Sequence, residues 1–252
     1  MMSKVALVTG AAQGLGLAIA QRLLKEGYRV VISDINLNAA QVAANELDAS
    51  GDSVTAIELD VQSKQSFSDA LQATIARFSR CDVLVNNAAM TPTTSVMDIS
   101  ADEFDQVLST NLRGTFFGCQ VFGQYFADQN EGNNAGRIIN MTSLAGQMGG
   151  TASGAHYAAS KGGILTLTKV FARALADKGV TVNAVAPGPV DMPSTREKVP
   201  ADKLEHIINT MIPVKKMSSS DFVADMVVML ASDSAGCTTG ACWDTNGGIF
   251  MR

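Results

Sequence analysis

A tyrosine and a lysine lie four residues apart within Tyr157-Ala158-Ala159-Ser160-Lys161. Residues at this spacing share one face of a helix, so both side chains can act on one substrate. A phenol with a pKa of about 10 is a poor base at neutral pH, and a neighbouring ammonium group is expected to lower that pKa. The pair therefore predicts a tyrosine that exchanges a proton with an alcohol or a carbonyl. The alternative is a packed tyrosine beside a solvated lysine.

A glycine-rich turn near the start of the chain lies between a strand-like run and a helical pattern, and it reads Gly10-Ala11-Ala12-Gln13-Gly14-Leu15-Gly16. Glycines here allow a tight turn and a close approach of backbone to a pyrophosphate. The N-terminus of the following helix attracts the same anion. The turn therefore predicts a dinucleotide site, the alternative being an ordinary turn between a strand and a helix.

Two acidic residues follow the next strand-like runs and extend this predicted site. Asp34 comes 18 residues after Gly16, where a carboxylate can accept hydrogen bonds from a ribose 2′-hydroxyl. No arginine or lysine lies in the glycine turn or beside Asp34 to bind a 2′-phosphate. Asp60 and Val61 are suited to contact the edge and face of an adenine. The pattern predicts NAD(H) rather than NADP(H), unless Asp34 is a solvated turn residue.

Short β-branched runs alternate with longer helical patterns along the chain. The strand-like runs cover residues 5–9, 29–33, 54–59, 83–86, 137–141 and 180–185, with a weaker one near 241–245. The helical patterns include residues 15–25, 39–49, 67–78 and 165–175. Strands separated by helices predict βαβ crossovers, and continuous apolar runs predict strands that are covered on both faces. We expect one α/β domain over residues 1–252, with a parallel sheet and an excursion over the substrate at about 188–217.

The composition of the 252-residue chain excludes several classes of function. A net charge of −5 without a basic cluster argues against binding to nucleic-acid phosphates. No apolar run approaches the ~20 residues that span a bilayer, and no cleavable leader is recognisable, so a cytoplasmic location without membrane partners is expected. Four scattered cysteines and two histidines predict neither a disulfide framework nor a metal site.

These motifs together resemble the short-chain dehydrogenase/reductase family, and the resemblance covers nearly the whole chain. It is carried by the Gly-x3-Gly-x-Gly turn, by Asn86-Asn87-Ala88-Ala89, in which Ala89 replaces the family's glycine, and by the strand-end serine and Tyr-x3-Lys motifs. The resemblance implies a doubly wound Rossmann-type domain with seven parallel strands and helices on both faces. It also implies an NAD(H)-dependent oxidoreductase that interconverts a small-molecule secondary alcohol and its ketone.

The same resemblance implies four catalytic residues. Ser143 is expected to hold the substrate oxygen, and Tyr157 and Lys161 form the acid–base pair. Asn111 is expected to hold, through its backbone and side chain, a water that links Lys161 to solvent, the alternative being a capped or solvent-facing asparagine. Thr142 is the alternative hydroxyl to Ser143.

The Ser143–Tyr157 interval is one residue longer than the family's common form, and the loop at 149–154 is expected to absorb the extra residue. Of the two histidines, His156 is expected to be packed or at the surface rather than to line the substrate pocket, and His206 to be solvated.

The resemblance also implies a set of cofactor contacts along the predicted sheet edge. Asn86 and Ala88 are expected beside the adenosine ribose, and the backbone near Val190 beside the nicotinamide carboxamide. Met192 stands where the family often has a threonine, for which Thr195 could substitute. The full expected set is Gly10, Gln13, Gly14, Leu15, Gly16, Asp34, Asp60, Val61, Asn87, Ala88, Tyr157, Lys161, Pro187, Gly188 and Val190.

Apolar residues of the 188–217 excursion, with two methionines elsewhere, predict an adaptable apolar pocket, although each could instead pack the core. They are Met192, Ile207, Ile208, Met211, Ile212, Met217, Met90 and Met148. The segment 104–126 is apolar around its whole circumference, which predicts a partner surface. The family commonly pairs the corresponding helix, so a homotetramer, or at least a homodimer, is expected.

Other activities share this motif set. A reductase of 3-oxoacyl thioesters of acyl carrier protein or coenzyme A is the first alternative, although Asp34 argues against it because such enzymes usually prefer NADPH. A polyol or sugar dehydrogenase is the next alternative. A dinucleotide-sensing protein without turnover is the non-enzymatic one, but it would have no need of Tyr157 and Lys161.

Overall fold

The computed structural model describes residues 3–129, 136–150 and 154–251. Nine strands are found there: β1 (Val5–Thr9), β2 (Arg29–Asp34), β3 (Val54–Glu58), β4 (Val83–Asn86), β5 (Gly136–Met141), β6 (Val180–Pro187), β7 (Val190–Asp191), β8 (Ser218–Ser219) and β9 (Cys242–Thr245). Seven of them form one parallel sheet in the order β3-β2-β1-β4-β5-β6-β9. The predicted seven-stranded parallel α/β sheet is confirmed. The two-residue strands β7 and β8 pair separately and were not predicted.

The α-helices of the described residues are α1 (Gly14–Lys25), α2 (Leu37–Leu47), α3 (Lys64–Phe78), α4 (Ala101–Leu108), α5 (Gly114–Asp128), α6 (Ala145–Met148), α7 (Ala155–Leu175), α8 (Pro193–Lys198), α9 (Ala201–His206) and α10 (Ser220–Ala231). Side-chain caps set several of their starts. The Asn36 side chain accepts a hydrogen bond from the Ala39 amide, so α2 begins two residues before the predicted 39–49 pattern. Within these residues, no helix is both long and apolar enough to cross a membrane.

The strand order places the chemistry-bearing segments together. β1 lies between β2 and β4, so the chain leaves the sheet in opposite directions after β1 and after β4. Open α/β sheets bind ligands in the crevice at such a switch point, outside the carboxyl ends of the strands. Two apolar clusters cover the two faces, one packed around α1 and α10 and the other around α3, α5 and α7. The sheet, whose central strands are buried, thus supports the loops at its carboxyl edge.

The segment expected to form one apolar helix over 104–126 is divided into three parts. A π-helical turn, Ser109–Arg113, separates α4 from α5. Asn111 lies in this wide turn and its side chain is fully buried. The segment is therefore helical, as predicted, but it contains a local widening of the turn that periodicity alone does not reveal.

The 188–217 excursion contains β7, α8, α9 and a π-helical turn at Ile207–Met211. Leu204, Ile212 and Met217 form a small apolar cluster of their own, against which Ile207 and Ile208 pack. Met192 instead packs against the main cluster beside α1. Four of the eight apolar residues expected to line a pocket therefore hold the excursion together, and Met211 is exposed.

Candidate active site

The turn after β1 has the shape that a pyrophosphate requires. Gly14 has φ +60°, a left-handed conformation that favours glycine. A Cβ atom on Gly16 would lie 2.4 Å from the Gly10 carbonyl oxygen, so no side chain fits there. Within the described residues, no side chain caps α1 at Gln13, which leaves the first turn of backbone N–H groups to an anion. Leu15 lies on that first turn. These features fit a dinucleotide.

The segment after β4 holds this turn in place through hydrogen bonds. The Asn87 side chain donates hydrogen bonds to the carbonyl oxygens of Thr9 (2.9 Å) and Gly10 (3.0 Å). The Thr9 hydroxyl accepts hydrogen bonds from the amides of Asn87 and Ala88, both at 3.0 Å. Asn87 and Ala88 therefore lie against the glycine turn, as a cofactor contact requires. The Asn86 side chain does not lie beside the expected ribose position, because it is buried and donates to the Asn140 side chain at 2.8 Å.

Asp34 ends β2 with its carboxylate directed over the glycine turn. One carboxylate oxygen accepts a hydrogen bond from the Ala12 amide (3.4 Å) and the other accepts one from the Asn36 amide (3.1 Å). In the loop after the neighbouring strand β3, Asp60 accepts a hydrogen bond from the Gln62 amide at 2.9 Å, and Val61 is buried. The edge thus presents the carboxylate and the apolar face that were expected for a ribose and an adenine.

Ser143 and Tyr157 come together beyond the end of β5, with their hydroxyl groups close enough to interact. The close packing of α6 on α7 makes this possible, because a Cβ atom on Gly146 would lie 2.5 Å from the backbone of Lys161. The Thr142 hydroxyl donates to the Lys161 carbonyl oxygen at 2.8 Å and is therefore committed to holding α7. Of the loop expected to absorb the longer interval, residues 151–153 lie outside the described residues.

Lys161 is buried, and its ammonium group donates to the Met141 carbonyl oxygen at 2.7 Å. It lies 5.7 Å from the centroid of the Tyr157 ring. Burial lowers the pKa of Lys161 from 10.5 to about 8. Desolvation raises the pKa of Tyr157, and the hydrogen bond with Ser143 opposes that rise. The prediction of a lowered tyrosine pKa is thus wrong for the protein groups alone, because desolvation outweighs every other influence of those groups.

The Asn111 side chain makes three hydrogen bonds inside the protein. Its amide nitrogen donates to the Met90 carbonyl oxygen (3.0 Å) and to the Ser160 hydroxyl (3.1 Å), and its oxygen accepts from the Met90 amide (2.8 Å). Ser160 in turn donates to the Tyr157 carbonyl oxygen at 2.7 Å. The side chain therefore anchors the loop after β4 to α7. The role of Ser160 in this series of hydrogen bonds was not predicted, because only the tertiary contact with Asn111 reveals it.

The segment after β6 closes the other side of the cleft. The Pro187 carbonyl oxygen accepts a hydrogen bond from the Leu144 amide (2.9 Å), next to Ser143. The Gly188 amide donates to the Thr245 carbonyl oxygen at 3.2 Å, and Val190 pairs with Ser218 in the small second sheet. These backbone contacts hold the Pro187–Val190 turn beside Ser143, where the nicotinamide contact was expected.

His156 and Glu103 form a contact that the sequence did not reveal. His156 is buried, as one of the expected alternatives had it, and its Nε2 lies 3.2 Å from the Glu103 carboxylate. The two residues are 53 positions apart in the chain. The contact matters because His156 is adjacent to Tyr157 on α7, whereas Glu103 lies on α4. His206 is exposed at the end of α9, as expected.

Fold and site together define an oxidoreductase in which a dinucleotide turn faces a serine–tyrosine–lysine group. A model of the family described as enoyl-(acyl carrier protein) reductase matches residues 10–249. The 3-oxoacyl-[acyl-carrier-protein] reductase FabG of Staphylococcus epidermidis is 38% identical over 251 residues, which cover 99% of this chain and all of that protein. The FabG of Staphylococcus aureus is 37% identical, with 99% of each chain covered.

A Mycobacterium bovis protein described as an uncharacterized oxidoreductase is 36% identical over 253 residues, covering 99% of this chain and 98% of that protein. The chain belongs to the short-chain dehydrogenase/reductase family. It is an oxidoreductase of that family, which uses a nicotinamide cofactor.

Replacing Lys161 with methionine is expected to stabilise the fold at pH 7. The folded-state pKa of about 8 against 10.5 means that burying the charged ammonium costs at most about 3 kcal/mol. Losing the hydrogen bond to Met141 cancels about 1–2 kcal/mol of this gain. The cost is complete below pH 8 and absent above pH 10.5, so the net gain of about 1–2 kcal/mol shrinks as the pH rises between them.

Urea unfolding of both proteins at pH 7 and near the upper end of that range measures this difference. Lys169→Met, at an exposed position on α7, is the matched control and should change the free energy of unfolding by less than ~0.5 kcal/mol. A Lys161→Met protein that is less stable than the wild type at pH 7 would contradict the prediction.

Proposed function

We propose that this protein is an NAD(H)-dependent reductase of 3-oxoacyl thioesters, which interconverts a 3-oxoacyl and a 3-hydroxyacyl group carried by acyl carrier protein or coenzyme A. The neighbouring Ser143 and Tyr157 hydroxyls, with buried Lys161 beside the tyrosine ring, support this reaction type. The substrate class is supported by the 37–38% identity to FabG proteins along their whole length.

The secondary alcohol and simple ketone favoured by the sequence become the second candidate, because the same site residues serve both. Nothing in the geometry of Ser143 and Tyr157 requires a thioester. What distinguishes the two candidates is the identity of the relatives, which favours the thioester.

The preference for NAD(H) is supported by Asp34. A carboxylate at the end of β2 accepts hydrogen bonds from a ribose 2′-hydroxyl and repels a 2′-phosphate. No lysine or arginine in the glycine turn or next to Asp34 offsets that repulsion. The proposal therefore separates this chain from enzymes of the same reaction that prefer NADPH.

The proposed roles follow from the positions of the hydroxyls and the ammonium group. The nicotinamide cofactor, when bound, supplies hydride to the carbonyl carbon or takes it from the alcohol carbon. The Ser143 hydroxyl donates to the carbonyl oxygen and holds it within reach of Tyr157. Tyr157 delivers its proton to that oxygen as negative charge develops there. Lys161 stabilises the phenolate that remains.

The raised pKa of Tyr157 suits the reducing direction. A phenol that keeps its proton until the substrate oxygen becomes strongly basic is a general acid at neutral pH. The pKa of Lys161 near 8 leaves most of its ammonium protonated at pH 7, so it can oppose the phenolate charge. Asn111 and Ser160 keep α7 in register with the loop after β4 while this happens.

The 188–217 excursion is proposed to cover the substrate. It begins at the Pro187–Val190 turn beside Ser143, and its own small apolar cluster gives it a defined shape. Met211 and, on α6, Met148 keep exposed side chains, as an acyl chain requires of the residues that bind it.

The substrate class is tested with the purified full chain. NADH oxidation is followed with 3-oxobutanoyl-coenzyme A, with the same acyl group on acyl carrier protein, and with panels of simple ketones and of keto forms of polyols. The proposal expects kcat/KM for a thioester at least tenfold above that for any ketone without one. Turnover confined to simple ketones would establish the second candidate. Turnover confined to the keto forms of polyols would indicate a polyol or sugar dehydrogenase. Binding of NADH without turnover in either direction would indicate a sensing protein.

We also propose that the chain forms a homotetramer, or at least a homodimer, through the outer face of α4, α5 and α7. An apolar groove there is lined by Leu108, Leu112, Phe116 and Leu167. Light scattering at micromolar concentration should give a multiple of the 26.4 kDa chain mass. Leu108→Arg should shift the distribution toward monomer, whereas Gln106→Arg, at an exposed position of the same helix, should not. A monomeric wild type would contradict the proposal.

A further inference from the structure

His156 is folded back over the start of the catalytic helix. It is the second residue of α7 and is fully buried. Its Nδ1 accepts a hydrogen bond from the backbone N–H of Tyr157 at 3.0 Å. A Cβ atom on Gly154 would lie 2.2 Å from the ring, so the glycine at the helix start makes room for this conformation. The first N–H groups of a helix have no partner within the helix, and the imidazole satisfies the one that belongs to Tyr157.

The other ring nitrogen connects the catalytic helix to α4. Because Nδ1 accepts a hydrogen bond, the ring proton lies on Nε2, which donates to Glu103 at 3.2 Å. The same carboxylate oxygen accepts from the Thr94 hydroxyl at 2.6 Å. These two hydrogen bonds hold the pKa of Glu103 below its usual range, so the acceptor is a carboxylate.

Thr94 lies in the loop after β4, which also contacts the helix start directly. The Pro92 carbonyl oxygen accepts a hydrogen bond from the Gly154 amide at 3.2 Å, and Met90 is held by Asn111. The loop, α4 and the first turn of α7 are therefore connected around Tyr157, and His156 is the member whose side chain accepts the hydrogen bond of the Tyr157 backbone N–H.

We propose that His156 is a positioning residue for Tyr157: it fixes the backbone amide of the tyrosine through Nδ1 and ties the helix start to Glu103 through Nε2. It touches neither substrate nor cofactor and acts only through Tyr157. The inference rests on the proposed acid–base role of Tyr157. The position of a proton donor relative to its acceptor must be correct to within a fraction of an ångström. A loosened helix start therefore lowers kcat while leaving dinucleotide binding intact.

Three variants at this position separate the two hydrogen bonds. His156→Ala removes both, and kcat is expected to fall about tenfold to a hundredfold with KM for NADH changed less than about twofold. His156→Asn keeps an acceptor close to the place of Nδ1 and should recover kcat to within about threefold of the wild type. His156→Gln can reach Glu103 but leaves the Tyr157 amide without its acceptor, so it should resemble the alanine variant.

Glu103 provides a matched pair of variants on α4. Glu103→Ala should lower kcat less than His156→Ala does, because the contact to the Tyr157 amide survives. Asp102→Ala, at the adjacent exposed position, should leave kcat unchanged. If His156→Ala fails to fold, the asparagine, glutamine and Glu103 variants still carry the test.

Amide hydrogen exchange of the peptide 155–160 is the readout that does not depend on a substrate. Exchange at the Tyr157 amide should be faster in the alanine and glutamine variants and close to wild type in His156→Asn. The solvent deuterium isotope effect on kcat should rise in the slow variants, because proton transfer then limits the rate.

Two results would overturn the proposal: a His156→Ala kcat within twofold of the wild type, or equal losses in the alanine and asparagine variants. Tyr157→Phe is measured in parallel. If that variant stays active, the proposed acid–base role of Tyr157 fails, whereas the exchange measurement still decides whether His156 holds the helix start.

Discussion

Tyr157→Phe is expected to lower kcat for reduction by about 10²–10⁴-fold, which is the range that a positioned general acid contributes. Phenylalanine preserves the ring and its contact with Lys161 but has no proton to deliver to the substrate oxygen. The Ser143 hydroxyl then loses its partner on α7, yet the glycine turn and Asp34 are unaffected. The loss should therefore be confined to kcat, with the dissociation constant for NADH unchanged within about twofold.

Stopped-flow measurement of a single turnover with saturating NADH separates the chemical step from product release in this comparison. Tyr125→Phe is the matched control, because it removes the same hydroxyl from a half-buried ring on α5. It should retain wild-type activity. A Tyr157→Phe protein with more than a tenth of the wild-type rate would show that another group donates the proton.

Much of this site could be predicted from the sequence because its residues sit at strand ends. Asp34, Ser143 and the glycine turn each follow an apolar run, and the carboxyl ends of parallel strands meet at one edge of the sheet. The spacing of Tyr157 and Lys161 then needs only one helix beside that edge. These predictions depend on local pattern and on sheet topology, both of which the chain displays directly.

The other features of the site depend on contacts between distant segments of the chain, which no local sequence pattern indicates. Asn111 lies in a π-helical turn between α4 and α5, and its side-chain amide donates to Met90 and Ser160. His156 meets Glu103 across 53 positions. The direction of the Tyr157 pKa shift also escaped prediction, since it depends on how much water the folded site excludes.

Burial of Lys161 connects stability with activity at this site. The charge that opposes a phenolate during reduction is kept in a place where its pKa falls to about 8, and the fold is less stable for holding it there. The expected stabilisation of Lys161→Met together with loss of turnover would show that this residue is retained for chemistry. A buried lysine without a role in the chemistry would show the stabilisation but no loss of turnover.

Asp34→Ala is expected to change the ratio of kcat/KM for NADH to that for NADPH by about 10²–10³-fold in favour of NADPH. Losing a charge-assisted hydrogen bond of about 1.5–3 kcal/mol weakens NADH by about 10- to 100-fold. Removing the repulsion of a 2′-phosphate accounts for the remainder. Kinetics with both cofactors at one fixed substrate concentration give the ratio, and Asp52→Ala, at an exposed turn before β3, should leave it unchanged.

A double variant at Asp34 and Ile35 is expected to reverse the cofactor preference. Ile35 follows Asp34 and its side chain is 65% exposed, so the guanidinium that an Asp34→Ser/Ile35→Arg double variant introduces can reach a 2′-phosphate without disturbing the core. This protein should prefer NADPH outright, because a guanidinium pairs with phosphate through two hydrogen bonds. If Asp34→Ala leaves the NADH preference intact, the carboxylate is a turn residue whose hydrogen bonds to Ala12 and Asn36 are its whole function. The glycine turn would then bind the dinucleotide without selecting between its two forms.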